Sequence, residues 1–407
     1  MRYKTNILNN ADVKSVNKSL ILKKIKQAQP VTRQYIVSEL GLSSPTVSTV
    51  FDELRKCGII RECGIQKSSG GRRSTLYEIC PEAGAVISTE LKNSGISLQL
   101  YNFLGEKAEN YVREFTEKEH VADVLSDFLE EIINEKKGSG NILGIGICLS
   151  GYISQRYGFV ESKNLGIRRT KINEFVRNTH NLKLVIEDKI RSAAYYYKWE
   201  NAVSGNHGAT LFIDINTGIG ASIIINNEIY RGFNDFAGEM GHLIFDGERG
   251  RDCTDGFSGC LEALSNEKAI VGEVKRRILN GDSSCVADIV KWDIEKINIG
   301  VVLEALGEGD VLAAEVMTKA VNYIFIALIN VIRLIDPERI YIMSSIAFKE
   351  NLDKLMNTDR NKALFEEIGD RLVFIDDNEI FLKGAAAMVL GDVYENIDRY
   401  FELDSQE

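Results

Sequence analysis

The sequence predicts a small winged helix-turn-helix head joined to a large α/β body. Three observations carry this. Residues 1–80 hold 14 Lys+Arg against 6 Asp+Glu and the remainder 35 against 53, so a head of +8 joins a body of -18. Only the head is then suited to a polyanion. Three of the four prolines (Pro30, Pro45, Pro81) punctuate the first 81 residues. Beyond Pro81, apolar runs of strand length alternate with segments of helical period, the mark of α/β architecture.

In the head, the apolar face Leu20, Ile21, Ile25 and Ala28 predicts a helix from Asn17 to Gln27, ended by Pro30. Thr32 is placed to cap a second helix, with Ile36, Val37 and Leu40 inward and Gly41 closing it. Ser43, Ser44 and Pro45 begin a third, serine as cap and proline in the first turn. Val47, Val50, Phe51 and Leu54 form its buried stripe, while Ser44, Thr46, Ser48, Thr49 and Arg55 face outward. Two short helices joined through a glycine turn fit a helix-turn-helix whose second helix enters the major groove. Small hydroxyls there, those of Ser43, Ser44, Thr46, Ser48 and Thr49, bond phosphates and base edges without obstruction. Ile59-Ile60 and Thr75–Ile79 read as paired strands around a polar tip carrying Arg72 and Arg73, which reaches toward the backbone or minor groove. The alternative, a three-helix interaction module, is opposed by the charge split and the arginine-tipped wing.

For the body the expected strands are Ala85–Glu90, Ile96–Tyr101, the run ILGIGICLSG, Leu184–Glu187, Ala209–Ile215, Ala221–Ile225 and Arg339–Met343. Expected helices are Val121–Lys136, Asn173–Thr179, Ala193–Ala202, Leu261–Leu279, Trp292–Leu306, Asp310–Asp336 and Phe381–Phe401. A chain of 407 residues exceeds one ordinary core, so two or three domains are expected. No uncharged apolar run of about 18 residues suggests a membrane span. The first residues lack a secretory pattern, and seven scattered cysteines suit a reducing compartment, so the cytoplasm is the expected location.

The densest chemistry lies in FAGEMGHLIFDGERGRDCTDGFSGCLE, residues 236–262. His242, Cys253 and Cys260 have the character of zinc ligands, with Asp255 available as a fourth in place of a thiolate. The plainer reading is an irregular loop with two buried thiols and a satisfied histidine.

The pieces SSGGRR, GIGICLSG, IEDKIRSAAY, NTGIGASIIINNEIYRG, AGEMGH, GCLE and GAAAM occur in this order along nearly the whole chain. Together they resemble the ROK family (repressors, open reading frames and kinases), in its xylose-repressor-like branch with an N-terminal winged helix. The resemblance implies an actin-like, two-lobed sugar-kinase fold: head 1–80, first lobe 81–205, second lobe 206–383, and a last helix, 384–403, returning to the first lobe. It implies sugar contacts at Glu239, His242 and Glu262, a weaker one at Asn164, and zinc on the same histidine. The family's first phosphate loop, Asp-x-Gly-Gly-Thr, is Glu90-Leu91-Lys92-Asn93-Ser94 here, and a later Gly-Gly is Ser344-Ser345. Thr217, Gly218 and Gly220 keep the second loop. Lys189 stands at the catalytic aspartate, with Asp188 where the family has asparagine; a lysine does not accept the hydroxyl proton at neutral pH. A one-residue shift would restore Asp188 as the base at the expense of the flanking match. ATP use is therefore not expected.

Lys189 and Arg191 suggest an effector that is acidic or phosphorylated, and Asp188 a hydroxyl acceptor. The resulting expectation is a sequence-specific DNA-binding transcriptional regulator, a repressor of sugar-related genes, acting as a homodimer or tetramer on a palindromic operator. The alternatives are a sugar kinase with a fused DNA-binding head, and a ligand-independent dimeric DNA binder.

Overall fold

Helix α1 (Asn10–Ala28) starts earlier than its apolar pattern suggests and turns Ile21, Leu22 and Ile25 inward, leaving Leu20 45% exposed. The inward face is thus rotated from the expected one, because the helix is buried on two sides and covers more than one stripe. Helix α2 (Arg33–Leu40) begins at Thr32, whose Oγ1 accepts from Tyr35 N at 3.1 Å. Gly41 ends it at φ 64°, a left-handed position that glycine fills without strain. Helix α3 (Ser44–Lys56) is capped by Ser43 and buries Val47, Val50, Phe51 and Leu54. Strands β1 (Ile60–Ile65) and β2 (Thr75–Ile79) pair antiparallel as the base of the wing.

The computed structural model describes residues 10–66, 73–93, 95–116, 119–138, 141–200, 208–247, 252–253, 256–344, 355 and 359–401. Arg72, Asp255 and Ser345 lie outside them. Two compact units result, Met1–Gly205 with Glu379–Glu407, and Asn206–Asn378.

The first unit holds the head and a five-stranded sheet. Strands β3 (Ala85–Lys92), β4 (Gly95–Asn102) and β5 (Lys107–Glu114) form an antiparallel meander, and β6 (Ile142–Leu149) and β10 (Lys183–Asp188) add in parallel beside β3. Helix α4 (Val121–Lys136) covers one face. A small sheet, β7 (Tyr152–Ser154), β8 (Phe159–Ser162) and β9 (Ile167–Lys171), lies outside the sequence expectation because its strands are too short for a period to register. The expected helix 173–179 is one turn, α5 (Ile172–Phe175); Val176 is extended and ends it, and Asn178, His180 and Asn181 beyond it take left-handed φ. Helix α6 (Lys189–Glu200) follows β10 directly.

The second unit repeats the same strand order. Strands β11 (Thr210–Ile215), β12 (Ile219–Ile225) and β13 (Glu228–Tyr230) make the meander, and β14 (Arg339–Ser344) and β15 (Leu372–Phe374) add in parallel beside β11. The expected helix 261–279 is two, α7 (Leu261–Ser265) and α8 (Glu267–Leu279), because Asn266 leaves helical geometry to cap α8 through Ala269 N. Helices α9 (Cys285–Ile289), α10 (Ile299–Gly307), α11 (Val311–Ile335) and α12 (Asp359–Ile368) complete the unit. Among the described residues only α11 is long and apolar enough to cross a membrane. Its buried side chains, from Leu312 to Ile332, form the middle of this unit's core.

Helices α13 (Ile380–Glu395) and α14 (Ile397–Tyr400) bring the chain back to the first unit. Close approach there depends on glycine: a Cβ at Gly384 would lie 2.0 Å from Ser192 O on α6, and one at Gly146 2.0 Å from Ala385 O. The head belongs to the same packing. Ile21, Leu22 and Ile25 of α1 share one apolar cluster with Val393, Tyr394 and Ile397.

Candidate functional site

On α3, Ser43 Oγ accepts from Thr46 N at 3.3 Å and lies 2.7 Å from Thr46 Oγ1, while Thr49 Oγ1 donates to Pro45 O at 3.0 Å. Three of the expected DNA-facing hydroxyls thus hold the helix start. Ser44 and Thr49 are exposed, Thr46 and Ser48 half-buried. Arg55 rests against Glu62 at 2.9 Å and Asp52 at 3.9 Å, and Arg73 is exposed.

The head's charge needs a correction. Lys14, Lys18, Lys23, Lys24, Lys26, Arg33, Arg55 and Arg61 each sit against a carboxylate. Three of these partners, Asp398, Glu395 and Glu200, belong to the body. The pairs within the head are already netted out of the +8, and the three pairs to the body offset three more of its charges. Exposed pairs such as Arg55–Glu62 are weak enough to exchange for phosphate.

In the first unit, β3 ends beside the start of α6. Lys189 Nζ lies 2.8 Å from Glu90 Oε1, and Lys92 Nζ 3.2 Å from Glu90 Oε2; Glu90 is 2% exposed. Lys189 also lies 4.4 Å from the centre of the Phe381 ring. Arg191 and Glu187, both buried, pair at 3.5 Å. Asp188 Oδ1 accepts from Ile190 N at 2.8 Å, which caps α6. These pairs correct one expectation: Lys189 and Arg191 answer the protein's own carboxylates, so they are no reason to expect an anionic effector. Asn164 sits exposed in the turn between β8 and β9. Cys148, fully buried on β6, has its thiol pushed well above the ordinary range by burial and the nearby Glu90.

In the second unit, Gly238 and Gly241 let the loop after β13 lie on β12: a Cβ would fall 2.1 Å from Ala221 O and from Ile219 O respectively. That places Glu239 and His242, the latter in a single 3-10 turn, with His242 Nε2 4.0 Å from Glu239 Oε2. Glu262 Oε2 accepts from Ile219 N at 3.0 Å, and Asn266 Nδ2 donates to Thr217 O at 2.7 Å. The Thr217-Gly218 turn is therefore tied down from α7 and α8. Glu262 was expected only as a sugar contact, and Asn266 was missed; its cap position after a short apolar run was the available signal.

Cys253 and Cys260 are joined sulfur to sulfur, where the sequence suggested two thiolates. His242 Nδ1 is 3.3 Å from Cys253 Sγ, and the three ligand atoms lie within 4.8 Å of one another. A nitrogen and two sulfurs at that spacing suit zinc once the cysteines are reduced, since only thiolates ligate. Among the described residues here, Cys253 N donates to Phe257 O at 2.7 Å and Leu261 N to Leu243 O at 2.9 Å.

The ROK family model matches residues 99–390. A xylose repressor of Caldicellulosiruptor bescii is 29% identical over 397 residues, 95% of this chain and 98% of that protein. A putative xylose repressor of another Caldicellulosiruptor species is 31% identical, covering 84% of this chain and 86% of its own length. Among solved structures, a ROK family transcriptional regulator, a homologue of the Escherichia coli MLC protein, is similar over 95% of this chain and 98% of its own (TM-score 0.78, 24% identity). A Streptomyces griseus ROK glucokinase solved with glucose and AMPPNP shares the fold over 75% of this chain and 99% of its own, at TM-score 0.59 and 20% identity. The extent of the family match, with a 31% identical relative aligned over most of both chains, shows that this protein belongs to the ROK family.

Proposed function

We propose that the protein is a DNA-binding transcriptional regulator, a repressor of sugar-related genes, whose kinase-like body binds an effector and does not phosphorylate it. The observation that carries the second half is the Lys189–Glu90 pair. Lys189 stands where the family's kinases need a base, and its ammonium is held by the residue at the first position of the lost phosphate loop. A paired ammonium accepts no proton from a sugar hydroxyl. The capped helix-turn-helix, the wing and the repressors among the relatives support the first half.

In this reading Ser43, Ser44, Thr46, Ser48, Thr49 and Arg55 meet the major groove, and Arg72 and Arg73 the flanking backbone. Asn164 and Asp188 on the first unit, and Glu239, His242 and Glu262 on the second, are the proposed effector contacts. His242, Cys253, Cys260 and Asp255 would hold zinc, which would brace the loop carrying Glu239 and Glu262. Two copies would present two heads to a palindrome, and an effector would shift operator affinity by no more than its differential binding to the two states.

Selection of duplexes from a random pool by the full-length protein tests the DNA half. Enrichment of an inverted repeat is expected; no enrichment overturns it. A coupled ADP-release assay with a sugar panel tests the rest. Turnover that disappears in Asp188→Asn but survives Lys189→Ala would restore the kinase reading. Calorimetric titration with neutral, acidic and phosphorylated sugars identifies the effector class, and heat from none of them would favour a ligand-independent DNA binder.

A further inference from the structure

Lys18 carries a charge where the head meets the body, yet it is only 2% exposed. Its Nζ lies 2.7 Å from Glu53 Oε2 on α3 and 2.6 Å from Asp398 Oδ1 on α14. Glu53 takes a second cation, Lys14, at 2.6 Å, so two lysines and two carboxylates balance. One side chain thus spans the helix that carries the DNA-facing residues and the chain's last helix. Around it the docking is both apolar and ionic. Ile21, Leu22 and Ile25 pack with Val393, Tyr394 and Ile397, Lys23 pairs with Glu395, and Lys26 pairs with Glu200 while lying 4.4 Å from the Trp199 ring centre. Apolar packing alone fixes contact but tolerates sliding. An ion pair whose cation is buried is satisfied at one register and costly at others, which gives it a use in specifying orientation.

We propose that Lys18 is a positioning residue for DNA recognition: it locks α3 to the C-terminal segment and so fixes the direction in which the body holds the recognition helix. The head is then an extension of the first lobe, and a displacement of α13–α14 carries α3 with it. The inference rests on α3 being the helix that meets DNA.

The test uses full-length protein and a duplex that the wild type enriches from a random pool. Asp398→Asn removes the body's half of the lock while leaving the Lys18–Glu53 contact inside the head. Lys18→Met removes both halves, and Lys23→Gln removes an exposed pair as control. Lost preorganisation predicts that Asp398→Asn and Lys18→Met weaken binding about tenfold, with Lys23→Gln within about twofold of wild type. The enriched half-site sequence and the slope of log affinity against log salt stay at wild-type values, because no phosphate or base contact is lost. The melting temperature of Asp398→Asn falls, because a buried ammonium loses one of its two carboxylates, while the protein stays folded at the binding temperature. Wild-type affinity in Asp398→Asn overturns the proposal, as does a loss accompanied by a shallower salt slope or by unfolding at the binding temperature. If Lys18→Met does not fold, Asp398→Asn decides, since that side chain is 38% exposed. A wild type that enriches no duplex removes the DNA-binding reading itself, a different outcome from a wild type that binds and a variant that binds equally well.

Discussion

Individual side chains here are governed by burial of charge. Glu53 shows the sign clearly. Burial alone would raise its carboxyl, but the bonds from Lys14 and Lys18 outweigh that and hold it below the ordinary 4.5. A carboxylate with a depressed folded pKa stabilises fully above its unfolded value and loses that contribution as pH falls through the folded one. Thermal melts of wild type and Glu53→Gln should therefore differ by a constant amount from neutrality to about pH 4.5, the ordinary carboxylate value, and converge below it. Lys18 has the opposite sign. Burial lowers its pKa, Asp398 and Glu53 raise it more, and its share fades only as pH rises through the raised value. Glu90 presents a related case. Removing its partner by Lys189→Ala leaves a buried carboxylate with Lys92 alone, a loss of about 2 kcal/mol in denaturant melts. Lys189→Asp would set a second carboxylate against Glu90 and should melt lower still.

At the level of elements, the join of α13 to α6 and β6 tolerates little change. The Gly384 position faces backbone at 2.0 Å, which cannot swing aside as a side chain would. Gly384→Ala should cost about 3 kcal/mol, while Gly391→Ala, with nothing within 4 Å of its Cβ, should be neutral or slightly stabilising in the same melts. His242, Cys253 and Cys260 could hold a metal ion only with both thiols reduced. Reduced protein should bind near-stoichiometric zinc by elemental analysis, protein with Cys253 and Cys260 oxidised should not, and Asp255→Ala should weaken retention against a chelator.

For the whole molecule, the two units carry sheets of identical strand order, a three-stranded meander with two parallel strands added beside its first strand. Shared order without an evident sequence repeat fits a duplicated architecture, and it explains why hydropathy reads as one uninterrupted α/β alternation. Electrostatics also belong to this scale. Because eight of the head's cations already face carboxylates, operator binding should show a shallow salt dependence for so basic a segment. Arg73→Ala should reduce the slope by about one per bound head, whereas Lys23→Gln should leave it unchanged.

Local chemistry can be read from the residues alone. Caps at Thr32 and Ser43, the left-handed Gly41 and the stripe Val47, Val50, Phe51, Leu54 depend on neighbours within four residues, so α2 and α3 are legible in the residues, whereas the start and inward face of α1 are not. Ordered motifs likewise carried the family. The short strands β7–β9, β13 and β15 were not legible, because their partners, more than their periodicity, make them strands. Only the tertiary structure decided where charge goes. Lys18 and Asp398 are 380 residues apart, and Lys189 and Glu90 about a hundred, yet each pair is set by close packing that no local pattern encodes. A lysine in a sequence is a cation available to any anion; burial beside a carboxylate makes it a fastening.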